Sequence, residues 1–506
     1  MSAFSLGLNT YSVPYAMFTE NRDRLVKSLI EKGIRSGIVL LKGGVASERN
    51  DTDHENLFRQ ESYFHYLFGV KEPSFWGCIV YTTHTTTTTL FAPRLPEEYA
   101  VWMGRIKPLS EFKATYEVDD VKYADELEAF LAGVAAASPD APLLLLEGTN
   151  SDSGSKYLPP SLPTPFPKPP DTTTLFPVLC NNRVYKTDKE LKLMKHVSKL
   201  SSLSHVHVMR GCKPGMMEYQ LESLFQHYSY YNYGCRWLGY TAICACGPNP
   251  AVLHYGHAGA PNDRALNPGD TILLDMGAEY ACYGSDITCS YPATGKFTER
   301  QRGVYEGVLN AQRAVYEILR PGTSWVDCHR AAEAEVIKAL VGLRVLRMVE
   351  GVTVADMVER RLGAVFMPHG LGHFIGIDTH DVGGYLEGYP ERPKGAGLKS
   401  LRTARILEER MCLTVEPGCY FIDYTIDKAL ADDSLAIFID EEVVDEFRGT
   451  GGVRLEDVLA ITKDGFENYT MAPRGVDEVE DVMGGGKWPP VKDLHPELGR
   501  KSLLTM

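Results

Sequence analysis

The 506-residue chain predicts an α/β protein of two domains, the first α/β and the second α+β with a strand-rich core. Three observations carry this. Helical and strand patterns alternate through the first third. Seven prolines then crowd into residues 158–170, a density that no helix or central strand tolerates. Beyond them Thr187-Asp-Lys-Glu190 reads as a capping box, and the remainder of the chain is dominated by strands bearing carboxylates. A chain of this length exceeds one ordinary core. The domains are set at 1–184 and 185–480, with a loosely packed tail at 481–506.

Taken in order, residues 15–32 are helical and Gly33 stands where a helix C-terminus wants glycine. Gly37-Ile-Val-Leu-Leu, Cys78-Ile-Val-Tyr, Leu90-Phe-Ala-Pro and Leu143–Leu146 read as strands, and Ala124–Ala137 as a helix. The threonine run 85–89 is placed at a hairpin tip, and the proline-dense stretch is a surface loop or stiff linker. From Thr187 a long helix reaches Met209, with Leu191, Met194, Val197 and Leu200 as its buried stripe. A helix at Met217–Tyr228 comes next, then strands, then a helix capped by Thr298-Glu-Arg-Gln301 and another from Trp325. Val458–Thr462 is the last strand.

Composition excludes several classes. With 44% hydrophobic and 23% charged residues the chain is a globular protein, and a formal charge of −14 argues against nucleic-acid binding. Eleven scattered cysteines without a C-x-x-C suit a reducing compartment. Neither a secretory signal nor a membrane span is read, so a cytoplasmic enzyme is expected.

The chemistry is concentrated in Ile272–Thr288, where an apolar run ends on Asp275 and a Gly-punctuated segment ends on Asp286-Ile-Thr, read as two antiparallel strands that each carry a carboxylate near the middle of a predicted sheet. Burying two carboxylates together is costly unless a proton or cation lies between them. Further ligands are offered by Met367-Pro-His-Gly-Leu-Gly-His373, Leu413-Thr-Val-Glu416 and Arg454-Leu-Glu456. One histidine with four carboxylates is a hard, oxygen-rich set that favours manganese or a similar divalent ion. Four carboxylates are too many for one catalytic ion with open positions, so two ions are the better account.

The ordered set Asp275…Asp286-Ile-Thr…His369-Gly-Leu-Gly-His373…Val415-Glu416-Pro-Gly…Arg454-Leu-Glu456 resembles the metallopeptidases of the pita-bread fold, which include methionine aminopeptidase, aminopeptidase P and the prolidases. Phe58-Arg-Gln-Glu-Ser, Thr149–Ser155, His254-Tyr-Gly-His-Ala-Gly-Ala-Pro-Asn-Asp-Arg and Ser400-Leu-Arg-Thr-Ala-Arg are similar to eukaryotic prolidases, the Xaa-Pro dipeptidases. The resemblance implies a creatinase/aminopeptidase P-like N-terminal domain, a pita-bread catalytic domain and a homodimer. It implies that Asp275, Asp286, His373, Glu416 and Glu456 bind two Mn²⁺ ions, Asp286 and Glu456 bridging them, with a bridging hydroxide as nucleophile on an Xaa-Pro dipeptide. It makes Glu416 the proton shuttle and places His254, His369 and His380 in the cleft. Arg402 would take the dipeptide's carboxylate, Arg454 would orient the ligands, and Tyr240 would line the pocket. Trp102 would reach across the dimer, with simple packing an equal reading. An aminopeptidase P acting on longer peptides shares every ligand, and a catalytically silent binding module is a further alternative.

Overall fold

The computed structural model describes residues 2–8, 10–162 and 166–505. It divides into two compact units, Met1–Glu190 and Leu191–Met506. The division falls in the first turn of the helix Asp188–Gly211. That helix is opened by the expected capping box: the Thr187 amide donates to Glu190 Oε2 at 2.7 Å, and the Glu190 amide to Thr187 Oγ1 at 3.2 Å.

The N-terminal unit is built on a five-stranded mixed sheet in the order Asp120–Tyr123, Thr86–Ala92, Trp76–Tyr81, Gly37–Lys42, Leu143–Leu145. The three inner strands are antiparallel and the two outer ones join in parallel. Ile38, Leu40, Cys78, Phe91 and Leu143 supply one face of its core, and the helix Leu127–Ala137 lays Leu127 and Leu131 on it. The threonine run departs from expectation. The turn is made by Thr82–Thr85, while Thr86–Thr89 lie within the strand, Thr88 and Thr89 buried, as suits β-branched residues on a pleated surface. The proline-dense segment carries neither helix nor strand at its described positions, and Leu162 and Phe166 pack on the sheet core. Its prolines at 163 and 165 lie outside the described residues.

The C-terminal unit holds the strands that matter for the site. One antiparallel sheet has the order Ile243–Cys246, Thr271–Asp275, Thr288–Pro292, and another Cys412–Val415, Asp457–Ile461, Phe466–Asn468. A ribbon pairs Gly418–Tyr420 with Gly452–Arg454. The helices Glu299–Ile318 and Trp325–Gly342 pack side by side. Thr298 and Gln301 form the expected box at the start of the first. Val304, Val308, Val315 and Tyr316, at helical spacing, make its buried face.

Two expectations are corrected by the fold. Asp286 is not on a strand; it sits in the link between Tyr283–Gly284 and Thr288–Pro292, while Asp275 ends its strand as the apolar run predicts. The reason is a tight hairpin at Ala281-Cys282, both at positive φ (50° and 63°), which uses up the residues a longer strand would need. The segment 481–506, expected to be loose, instead buries Trp488, Leu498, Arg500 and Leu503. Arg500 holds it down by pairing with Glu478 at 2.8 Å and Asp493 at 2.7 Å.

Candidate metal centre and cleft

Four chain segments must approach one another closely to assemble the centre, and glycine permits two of the close approaches. A Cβ on Gly277 would lie 1.8 Å from the Ser285 carbonyl oxygen, so only glycine lets the Asp275 strand meet the Asp286 link. A Cβ on Gly372 would lie 2.1 Å from the Thr414 carbonyl oxygen, across which the His373 and Glu416 segments join. The Glu416 amide then donates to Leu371 O at 2.8 Å, and the Glu456 amide to Thr288 O at 3.1 Å.

The result brings the five expected ligands together. Ligand atoms of Asp275, Asp286 and Glu456 lie within 4.8 Å of one another, as do those of His373, Glu416 and Glu456, and those of Asp286, His373 and His380. Asp286, His373 and Glu456 thus each belong to two groups. His373 Nε2 is 3.3 Å from Asp286 and 3.4 Å from Glu416. The carboxylates are held in place from behind. Arg454 donates to Asp275 at 2.6 Å, to Thr288 Oγ1 at 3.0 Å and to the Tyr420 hydroxyl at 2.9 Å. Thr288 in turn donates to Glu456 at 2.6 Å, and Tyr240 to the other Asp275 oxygen at 2.5 Å. Thr414 accepts from the His373 amide and donates to Glu416.

The electrostatics ask for more positive charge. Burial, then repulsion from Asp286, Glu416 and Asp275, pushes the Glu456 carboxyl well above the usual range. Burial and Asp286 raise Asp275 against the pull of Arg454, and burial raises Glu416. Asp286 is held low by His373 despite burial. Asp286 Oδ1 is buried without a hydrogen-bond partner, a condition that native structures rarely leave unfilled. A hard oxygen-rich set with an orphaned, inward carboxylate oxygen fits a pair of divalent ions.

The cluster opens into a cleft of about 820 Å³ lined also by Tyr240, His254, His369, His380, Arg402 and Arg454. The three histidines are all shifted below the usual imidazole range. Burial and the nearby Arg454 push His369 down to about 3; burial, His373 and Arg402 do the same for His380; His254 is lowered by burial, Arg402 and Arg454. His369 is braced by the Tyr420 hydroxyl at 3.0 Å, and His380 packs edge-on against His373. Trp102 lies in the N-terminal unit on the short helix Ala100–Met103 and is 82% exposed. Thr288, Thr414 and Tyr420 were not anticipated as supports. For the two threonines, a hydroxyl two residues before or after one of the clustered carboxylates was the available signal; Tyr420, four residues past Glu416, had none.

Comparison with known proteins agrees with this geometry. The model of metallopeptidase family M24 matches residues 192–463, and that of the aminopeptidase P N-terminal domain matches residues 18–142. The chain is 49% identical over 485 residues to a Homo sapiens protein named Xaa-Pro dipeptidase, covering 96% of each chain. Its fold is similar to that of Pseudomonas aeruginosa aminopeptidase PepP, with a TM-score of 0.75, 27% identity, and coverage of 94% of this chain and 99% of the other. It is also similar to Zn-substituted E. coli aminopeptidase P in complex with product, with a TM-score of 0.72, 25% identity and the same coverage. With an aminopeptidase P-like N-terminal domain ahead of a pita-bread catalytic domain, the chain belongs to metallopeptidase family M24.

Proposed function

We propose that this metallopeptidase is an Mn²⁺-dependent dipeptidase that hydrolyses Xaa-Pro dipeptides. The observation that carries the reading is Arg402 in the same cleft as the carboxylate cluster, where it acts on Glu416, His254 and His380 electrostatically. A guanidinium at that place suits the free carboxylate of a C-terminal proline. The close likeness to a protein named Xaa-Pro dipeptidase supports it.

An Xaa-Pro bond is a tertiary amide with no N–H to donate and a ring crowding the carbonyl. Two divalent ions, held by Asp275, Asp286, His373, Glu416 and Glu456, supply an activated water and polarise the carbonyl when bound. Glu416 carries the proton to the leaving imino nitrogen. His254 and His380, neutral at the cleft wall, donate to the developing oxyanion or the proline carboxylate. Tyr240 closes the pocket beside Asp275, His369 braces the loop through Tyr420, and Arg454 aims the ligands. A homodimer in which Trp102 is covered by the second copy would account for that side chain's exposure. Among the described residues no two cysteines form a disulfide, which supports a reducing, cytoplasmic setting. Among the described residues no helix is long and apolar enough to cross a membrane.

Likeness to aminopeptidase P structures favours a second reading, cleavage of longer Xaa-Pro peptides. Hydrolysis of Gly-Pro against Gly-Pro-Pro, with and without Mn²⁺, separates the two. Manganese-dependent cleavage of the dipeptide with little of the tripeptide is expected. Preference for the tripeptide would move the assignment to aminopeptidase P.

A further inference from the structure

The two glutamates of the centre come from strands far apart in sequence, and one buried side chain outside the cleft touches both strands. Gln312, on the helix Glu299–Ile318, is completely buried. Its Nε2 donates to Val415 O at 3.2 Å and to Leu455 O at 3.1 Å. Those are the carbonyls immediately before Glu416 and Glu456. Both neighbours are acceptors, so the amide's orientation is set by the network: its oxygen could not face them.

The location gives the contact its meaning. Val415 ends the run that pairs with Asp457–Ile461, while Gly418 begins the ribbon that pairs with Arg454. Glu416 and Glu456 sit in the gap between the two ladders, where their amides turn to Leu371 and Thr288 instead of to each other. Across that gap the two segments share one backbone hydrogen bond, from the Leu455 amide to Pro417 O at 3.2 Å, and Gln312 adds a side-chain link that holds both. Gln312 Oε1, by contrast, is buried with no hydrogen-bond partner. That unsatisfied oxygen offsets part of what the two donated bonds contribute to stability.

We infer that Gln312 is a positioning residue: its amide clamps the two strands so that Glu416 and Glu456 stand at the separation two divalent ions require. The inference rests on the five-ligand reading of the centre. It concerns the metal-holding geometry and not the identity of the substrate.

The test is Mn²⁺ binding to metal-stripped full-length protein, measured by titration calorimetry, for wild type, Gln312→Met and Gln312→Asn. Methionine keeps the volume and removes both donors; asparagine is one methylene too short to reach both carbonyls. Loss of an outer support typically weakens a metal site by about 10- to 100-fold. That loss is expected for at least one Mn²⁺ in Gln312→Met, together with a lower melting temperature of the metal-free protein, because two buried carbonyls lose a donor. Gln312→Asn is expected to lose affinity as well, and it decides the matter should the methionine variant fail to fold. As a control, Tyr316→Phe removes a hydrogen bond from the same helix to Asp457; it should lower the melting temperature and leave Mn²⁺ affinity at the wild-type value. Wild-type affinity in both folded Gln312 variants overturns the clamp alone. A wild-type protein that binds no Mn²⁺ overturns the metal-centre reading, and the clamp with it.

Discussion

Glu456 and Asp457 are adjacent in sequence, both buried, and in opposite situations. Asp457 points to a matched set: Arg474 at 2.8 Å, the Tyr316 hydroxyl at 2.6 Å and the Asn468 amide at 2.7 Å. Glu456 points to Asp275, Asp286 and Glu416, with a threonine hydroxyl as its hydrogen-bond donor. The alternation of side chains along an extended strand sends neighbours to opposite faces. One face is finished by the protein; the other is finished by what binds there. In this pair the structural carboxylate is the one with its own cation, Arg474, whereas Glu456 has none; Asp275, paired with Arg454 at 2.6 Å, lies between the two cases. Arg474 also donates to the Glu456 carbonyl at 2.5 Å, so the satisfied face holds the backbone that carries the unsatisfied one.

The largest effect is expected on the ligand face. Asp275→Asn removes one ligand charge with little change of shape, and hydrolysis of Gly-Pro in excess Mn²⁺ should fall by more than about 100-fold, beyond what loss of an outer partner costs. A near-wild-type rate would show that Asp275 is no ligand and undo the contrast. On the other face, Arg474→Met leaves Asp457 buried and unpaired, and chemical denaturation should show a loss of about 3–5 kcal/mol. Glu456→Gln sets the two faces against each other because the sign reverses: in metal-free protein it relieves repulsion, so the melting temperature should hold or rise. Adding Mn²⁺ at a hundred times its dissociation constant should stabilise the wild type by about 2.7 kcal/mol per site, and Glu456→Gln should lose most of that gain. The smallest effect is expected at the cleft wall. Arg402→Met forfeits a charge-assisted contact of about 1.5–3 kcal/mol, so KM for Gly-Pro should rise roughly ten- to hundredfold with a smaller change in kcat.

The ligands were legible because an acidic residue at the end of an apolar run, as in Leu413-Thr-Val-Glu416, is costly without a partner. The strands and long helices were legible from their periodicity, and Thr187 and Thr298 from their capping pattern. Three things were not. The Ala281-Cys282 hairpin has no glycine at its positive-φ positions, so nothing marked how early the strand ends before Asp286. The tail is rich in glycine and proline and looks loose, yet Arg500 finds Glu478, a residue on a helix that sequence spacing does not connect to it. Gln312 reads as one more polar residue on an amphipathic helix; its partners are two backbone carbonyls 103 and 143 residues away, and backbone partners leave no trace in residue type.

A carboxylate cluster completed by two divalent ions should be inert without them. The most direct measurement is to strip the protein of metal, return Mn²⁺ stepwise, and follow bound Mn²⁺ per chain together with Gly-Pro hydrolysis. The prediction is two ions bound per chain, no hydrolysis at zero, and activity that returns with occupancy and fails to return in Glu456→Gln. Undiminished hydrolysis by protein shown to hold no metal would contradict it.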